Sequence, residues 1–120
     1  MESDTTTGKE AEIHTKQWLQ QQGLRAITEN YSCRFGEIDL IMLDGETLVF
    51  IEVRLRSHKG FGGAAGSVDY RKQRKIIATA EWFLSKHLQH NQRNCRFDVI
   101  AFETNSANQP PLWYKDAFII

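Results

Sequence analysis

The run Gly36-Glu37-Ile38-Asp39-Leu40-Ile41-Met42-Leu43-Asp44-Gly45-Glu46-Thr47-Leu48-Val49-Phe50-Ile51-Glu52-Val53-Arg54 decides how this chain folds. Two apolar segments flank Asp44-Gly45, a strong short-range hairpin signal, because a type I′ turn requires positive φ at both central residues. A two-residue turn there sets Leu43 against Glu46, Ile41 against Leu48, Asp39 against Phe50 and Glu37 against Glu52. Side chains alternate along a strand. Ile38, Leu40, Met42, Val49, Ile51, Val53 and Leu55 therefore share one wholly apolar face, which must be core. The opposite face carries Glu37, Asp39, Glu52 and Arg54 at the end far from the turn. In this register Asp39 and Glu52 are diagonal neighbours about 7–8 Å apart, so both carboxylates can reach one ion.

Such a cluster needs a reason. Like charges facing each other on a sheet destabilise it, and neighbouring carboxylates resist ionising together. A divalent cation removes the conflict, and hard oxygen ligands suit Mg²⁺ or Mn²⁺. The same pattern also fits a solvated sheet edge on which Arg54 and Arg56 neutralise the acids. The pattern alone leaves both readings open.

At 120 residues the chain has the length of one domain with a real core, expected over residues 8–120 behind a polar, disordered tail at 1–7. A hydrophobic fraction of 41% and a charged fraction of 25% are those of an ordinary globular protein. Net charge is zero, but its distribution is uneven. Through Glu52 there are ten acidic and four basic residues; beyond it there are five acidic and eleven basic. Arg54, Arg56, Lys59, Arg71, Lys72, Arg74 and Lys75 crowd one segment with only Asp69 against them. A basic segment beside an acidic cluster suits a site that holds phosphates and a metal together, although a charge run is also what a solvated face looks like. Cys33 and Cys95 have no metal-site spacing, and nothing resembles a signal peptide or a membrane span. The cytoplasm, with both thiols reduced, is the expected compartment.

Along the chain, Gly8–Gln22 reads as a helix stopped by Gly23, and Leu24–Tyr31 as a first strand. The hairpin supplies strands over Glu37–Leu43 and Thr47–Arg56. Ser57–Gly66 is glycine-rich without the phosphate-loop pattern, so it reads as a connector or as a mobile loop over a channel. Val68–Leu88 is the main helix, with Ser67 as expected N-cap and a stripe of Ile76, Ile77, Ala80, Trp82, Phe83, Leu84 and Leu88. Its cationic residues cluster at the N-terminus, against the helix dipole, a placement that suits an anionic ligand. Arg96–Glu103 reads as a strand, Leu112–Tyr114 as a short edge strand, and Ala117–Ile120 as an apolar tail. The crossover through the long helix makes the fourth strand parallel to a neighbour in a mixed α/β layer fold. His87 and His90, spaced i, i+3 at a polar helix end, read as a surface pair; Trp18, Trp82 and Trp113 read as core; Asp98 caps or pairs with Arg96.

Several motifs resemble the YraN family of bacterial proteins. They are Gly8-x-x-Ala11-Glu12, Trp18-Leu19-x-x-x-Gly23-Leu24, Gly36-Glu37-Ile38-Asp39-Leu40-Ile41 and Leu48-Val49-Phe50-Ile51-Glu52-Val53-Arg54, followed by Phe61-Gly62. Lys72-Gln73-x-Lys75-Ile76, Arg96-Phe97-Asp98-Val99 and Trp113-Tyr114-Lys115-Asp116-Ala117-Phe118 continue the match in the same order. The resemblance implies a restriction-endonuclease-like α/β fold, with a central mixed sheet of about five strands flanked by helices, close to archaeal Holliday-junction resolvases. It also implies a nuclease pattern: Glu12 on the first helix, Asp39 on the second strand, and Glu52 with Arg54 on the third. In such enzymes the two strand acids hold Mg²⁺, often with the backbone carbonyl that follows the second acid, and the metal activates a water and stabilises charge on the phosphate. Arg54 stands where the family of nucleases carries lysine; arginine stays protonated and cannot act as a general base. Ala11 replaces the usual glycine before the first acid.

Three functions are compatible with this reading. The first is a Mg²⁺- or Mn²⁺-dependent endonuclease acting on DNA, branched DNA included, with Asp39 and Glu52 on the metal and Glu12 and Arg54 assisting. Arg34, Arg56, Lys59, Arg71, Lys72, Gln73, Arg74 and Lys75 are its expected nucleic-acid contacts, with Gln73 also readable as a surface amide. The second is a nucleic-acid-binding module that does not cleave. The third is an interaction protein whose acids form only an ion-pair network. A homodimer is implied by the resemblance to resolvases alone.

Overall fold

The computed structural model describes residues 8–56, 68–103 and 111–118. The glycine-rich segment 57–67, with Lys59 and Ser67, the terminal stretches and the Pro110 loop lie outside them, as does the side chain of Arg56. Helix α1 (Gly8–Gln21) leads into β1 (Arg25–Cys33), β2 (Gly36–Asp44) and β3 (Thr47–Arg56). Helix α2 (Tyr70–Lys86) and a 3₁₀ turn (Leu88–His90) precede β4 (Cys95–Glu103) and β5 (Leu112–Phe118). The five strands form one sheet in chain order, antiparallel except for the parallel β3–β4 pair that the α2 crossover requires. This five-stranded mixed sheet flanked by two helices is the expected restriction-endonuclease-like architecture. No helix among the described residues is long and apolar enough to cross a membrane.

The hairpin forms, but its turn is displaced by one residue. Asp44 pairs with Thr47 and Leu43 with Leu48, so Gly45 and Glu46 are the central residues. Gly45 has φ 63, whereas Glu46 is not among the residues with positive φ. Glycine with positive φ at the first central position, followed by an ordinary residue, is the type II′ pattern rather than the expected type I′. Each facing pair therefore moves by two residues. Because the side-chain period is two, the move keeps every residue on its face.

Both faces of the sheet are buried. On one, α1 lays Leu19 against Leu40, Met42, Val49, Ile51 and Ile100, with Trp18 and Trp113 meeting edge to face at 5.6 Å. On the other, α2 lays Ile76, Ala80 and Phe83 against Ile41, Leu43, Leu48, Phe50, Phe97 and Val99. Ile38, expected beside Leu40, instead joins the α2-side cluster. The cause lies in the pairing. β2 stays on β3 only as far as Leu40↔Ile51, then continues with β1 alone to Cys33↔Gly36. A two-stranded ribbon twists more than a sheet interior, and this one turns Ile38 over and opens a gap between β2 and β3.

Helix α2 begins at Tyr70 and is capped by Asp69, whose carboxylate accepts the Lys72 N–H at 2.8 Å, in place of the expected Ser67 cap. Leu88 is exposed, and Trp82 belongs to neither core cluster. His87 and His90 are not a surface pair: His87 stacks on Phe83 at 4.0 Å, and the buried His90 takes Arg93 Nε on its Nδ1 at 3.0 Å. Asp98 does pair with Arg96, through Nε at 3.0 Å, and also accepts Trp113 Nε1 and the Asp116 N–H at 2.9 Å each. β5 runs on to Phe118, with a register shift opposite Phe97–Val99 where Asp116 adopts φ 55; this bulge brings its N–H to Asp98.

Candidate functional site

The gap between β2 and β3 is where the acids meet. One step beyond Leu40↔Ile51 stand Asp39 and Glu52, side by side rather than diagonal. β2 has left the ladder here, so Asp39 Oδ2 takes the Val53 N–H itself, at 2.8 Å. In a strand, the N–H and C=O of one residue point toward the same neighbour. The Val53 carbonyl thus faces the same opening as the two carboxylates.

Glu52 is 5% exposed, on the α2 side of the sheet. Lys72 Nζ approaches its Oε2 at 3.3 Å and Arg54 Nη1 at 3.4 Å. Despite both cations, the Glu52 carboxyl is pushed up to about 7, first by burial and then by the charge of Asp39. Glu12 reaches the cluster from α1, beside the buried Ala11. It shares a hydrogen bond with Asp39, and its carboxyl is raised by burial, then by Asp39, with Glu37 adding and Asn30 opposing. Asp39 of β2 thus stands between Glu12 of α1 and Glu52 of β3 and raises the carboxyl of each.

In front of them is a cleft of about 210 Å³, lined by Gly36, Glu37, Asp39, Glu52, Lys72, Lys75 and Ile76. Gly36 is needed where it is. Its φ is 154, and a β-carbon there would stand 3.1 Å from Thr79 Oγ1 and 3.5 Å from Lys75 Cβ. Without a side chain, the start of β2 rests directly on α2, and the two halves of the cleft close on each other.

The hairpin pattern put Asp39, Glu52 and Arg54 on one face and the family resemblance added Glu12; in the structure Glu12 meets Asp39 and Arg54 meets Glu52. The structure adds Lys72, expected as a phosphate contact, as a direct partner of Glu52. Lys75 lines the cleft. Arg71 and Arg74 do not; Arg74 Nη1 donates to the Tyr70 hydroxyl at 2.8 Å and its guanidinium lies 5.6 Å over that ring. Gln73 Nε2 donates to the Val68 carbonyl at 2.9 Å and so braces the entry to α2. Arg34 lies 5.2 Å over Phe35, at the β1–β2 turn. Among the described residues, no three His, Cys, Asp or Glu side chains form a metal cage by themselves.

The family model described as "Uncharacterised protein family UPF0102" matches residues 11–102. A UPF0102 protein of Pseudomonas syringae pv. syringae (strain B728a) is 53% identical over 112 residues, covering 92% of this chain and 91% of the relative. One of Alcanivorax borkumensis is 49% identical over 120 residues, covering 98% and 95%. Another, of Pseudomonas putida (strain W619), is 48% identical over 117 residues, covering 97% and 95%. The matched span contains Glu12, Asp39, Glu52, Arg54 and Lys72.

Proposed function

The chain belongs to the UPF0102 (YraN) family, and we propose that it is a divalent-metal-dependent endonuclease acting on phosphodiester bonds of DNA, branched DNA included. The observation that carries this reading is the split between β2 and β3, where Asp39 and the buried Glu52 stand adjacent beside a cleft walled by Lys72 and Lys75. Setting a second carboxylate beside a buried one is unfavourable unless something of opposite charge joins them.

The donor set fits Mg²⁺ or Mn²⁺. Both ligands are hard carboxylate oxygens, and the Val53 carbonyl adds a third oxygen on the same side. Mg²⁺ is commonly held by one or two carboxylates, with water and substrate phosphate completing its shell, so a full protein cage is not required. When bound, the cation polarises the phosphoryl oxygen and lowers the pKa of a water at the reacting phosphorus. The chain's own residues do the rest. Lys72 and Arg54, which pair with Glu52, are positioned to move onto the phosphate and stabilise the charge that develops there. Arg54 cannot accept a proton. Lys72 puts an amine at the spot where Arg54 offers only a guanidinium, and so stands in for the lysine that the nuclease motif carries on β3. Glu12, whose carboxyl is raised by burial and by Asp39, completes the edge of the site through its hydrogen bond to Asp39.

One observation favours a second reading, a nucleic-acid-binding protein that does not cut: Arg54 occupies the motif lysine's position. Cleavage of branched, flapped and linear DNA with Mg²⁺ or Mn²⁺ separates the two. The expected result is cutting by the wild type and by Arg54→Lys, lost in Asp39→Ala and Glu52→Ala and strongly reduced in Lys72→Ala. A silent wild type beside an active Arg54→Lys makes the natural protein a binder. Silence of every variant, with no DNA bound, refutes the nucleic-acid reading.

A further inference from the structure

The aromatic pair beside the cleft has no role in the core or in the acid cluster. Phe35, at the tip of the β1–β2 turn, is 41% exposed. Its ring meets that of Trp82 at 5.8 Å and 63°, and Trp82 is part of neither core cluster. A cation covers each ring: the Arg34 guanidinium lies 5.2 Å over Phe35, and Lys86 Nζ 4.7 Å over Trp82. The neighbour of Phe35, Gly36, lines the cleft, and so does Lys75, seven residues before Trp82 on α2. Lys72, Lys75, Thr79, Trp82 and Lys86 follow at spacings of three and four and share one stripe of the helix. That stripe runs from Glu52 to the aromatic pair. From Lys75 to Trp82 it covers about 10 Å at 1.5 Å per residue, or roughly three stacked nucleotides at about 3.4 Å each.

We propose that Phe35 and Trp82 form a stacking platform for unpaired nucleobases, with Lys75, Lys86 and Arg34 taking the flanking phosphates. The proposal rests on the phosphodiester reading above and narrows it: the strand that leaves the cleft along α2 is single-stranded at this point. Three features fit an unpaired strand better than a duplex. Phe35 sits exposed at a tight turn against the half-buried Trp82, where a splayed base can reach the rings more readily than a stacked base pair. Aromatic faces read bases without regard to sequence, and cations between them follow the backbone. A surface cation–π contact is weak enough for a phosphate to draw the cation away, leaving the ring face to a base.

The test is fluorescence anisotropy with labelled dT12, the RNA equivalent rU12, a 12-base-pair duplex and an abasic 12-mer, for wild type, Phe35→Ala, Phe35→Tyr and Asp39→Asn. Phe35→Ala is expected to weaken dT12 binding about tenfold, since stacking on one aromatic ring is worth that much per base. Duplex and abasic binding should stay unchanged, and Phe35→Tyr should restore dT12. A thermal melt checks that the variants fold, which the exposure of Phe35 favours. Comparison of dT12 with rU12 decides between DNA and RNA as the source of the bases. Equal weakening for dT12 and the abasic strand, or none for either, overturns the platform. If the platform fails while the wild type still cleaves and Asp39→Asn does not, the nuclease reading stands alone; if the wild type binds no oligonucleotide, both fall.

Discussion

Replacing Glu52 by glutamine should stabilise the metal-free protein at alkaline pH and leave it little changed in acid. The Glu52 carboxyl titrates near 7 in the folded protein, against an ordinary value of 4.5. A raised folded value means that the native state holds its proton more tightly than the unfolded chain. The stability this proton brings is complete below about 4.5 and is lost as pH rises through about 7. The rise from 4.5 to about 7 corresponds to about 3 kcal/mol, and the near-complete burial of Glu52 leaves little screening to discount it. Glu52→Gln cannot ionise and escapes the loss. Urea denaturation at pH 4.5 and pH 8, in chelator, should show the stability gap between variant and wild type widening by about 3 kcal/mol in favour of the variant. Taking the difference between two pH values cancels whatever the amide changes at both. Saturating Mn²⁺ at pH 8 should then raise the wild type and leave Glu52→Gln where it was. A gap that does not move with pH would refute the argument that burial and Asp39 dominate. A gap that moves the other way would mean that Lys72 and Arg54 more than offset them, and that the acids form a satisfied ion-pair network without a cation.

Two further perturbations test the frame that holds the site. Asp98→Ala leaves Arg96, Trp113 Nε1 and the Asp116 N–H without their buried acceptor; a loss of about 3–5 kcal/mol is expected in chemical denaturation, as for other broken buried pairs. Gly36→Ala forces a β-carbon against Thr79 Oγ1 at 3.1 Å and strains a backbone at φ 154. A loss of about 1–3 kcal/mol should follow, together with weaker Mn²⁺ binding, because the start of β2 must lift off α2.

The acid cluster was legible in the sequence because it depends on parity. Asp39 and Glu52 lie on strands joined by a short turn, and a two-residue error in register does not move either to another face. What the sequence concealed came from longer range. Lys72 reaches Glu52 across a β3–α2 packing that no local spacing encodes. Trp82, apolar and at a helical spacing suited to the core, was reassigned by Phe35 at a turn 47 residues away. Ile38 changed sides because β3 ends its pairing with β2 before β1 does, an event decided by the whole sheet. Asp98 was expected to pair with Arg96, but its two other donors come from β5, whose bulge at Asp116 carries no turn signal of the usual kind.

The claim on which the account stands is that Asp39 and Glu52 together hold a divalent cation. Calorimetric titration of Mn²⁺ into the wild type, Asp39→Asn and Glu52→Gln at pH 8 tests it without any substrate. One site per chain in the wild type, lost in both variants while their folds persist, is the predicted result. Binding that survives in either variant, or no binding by the wild type, would contradict the account.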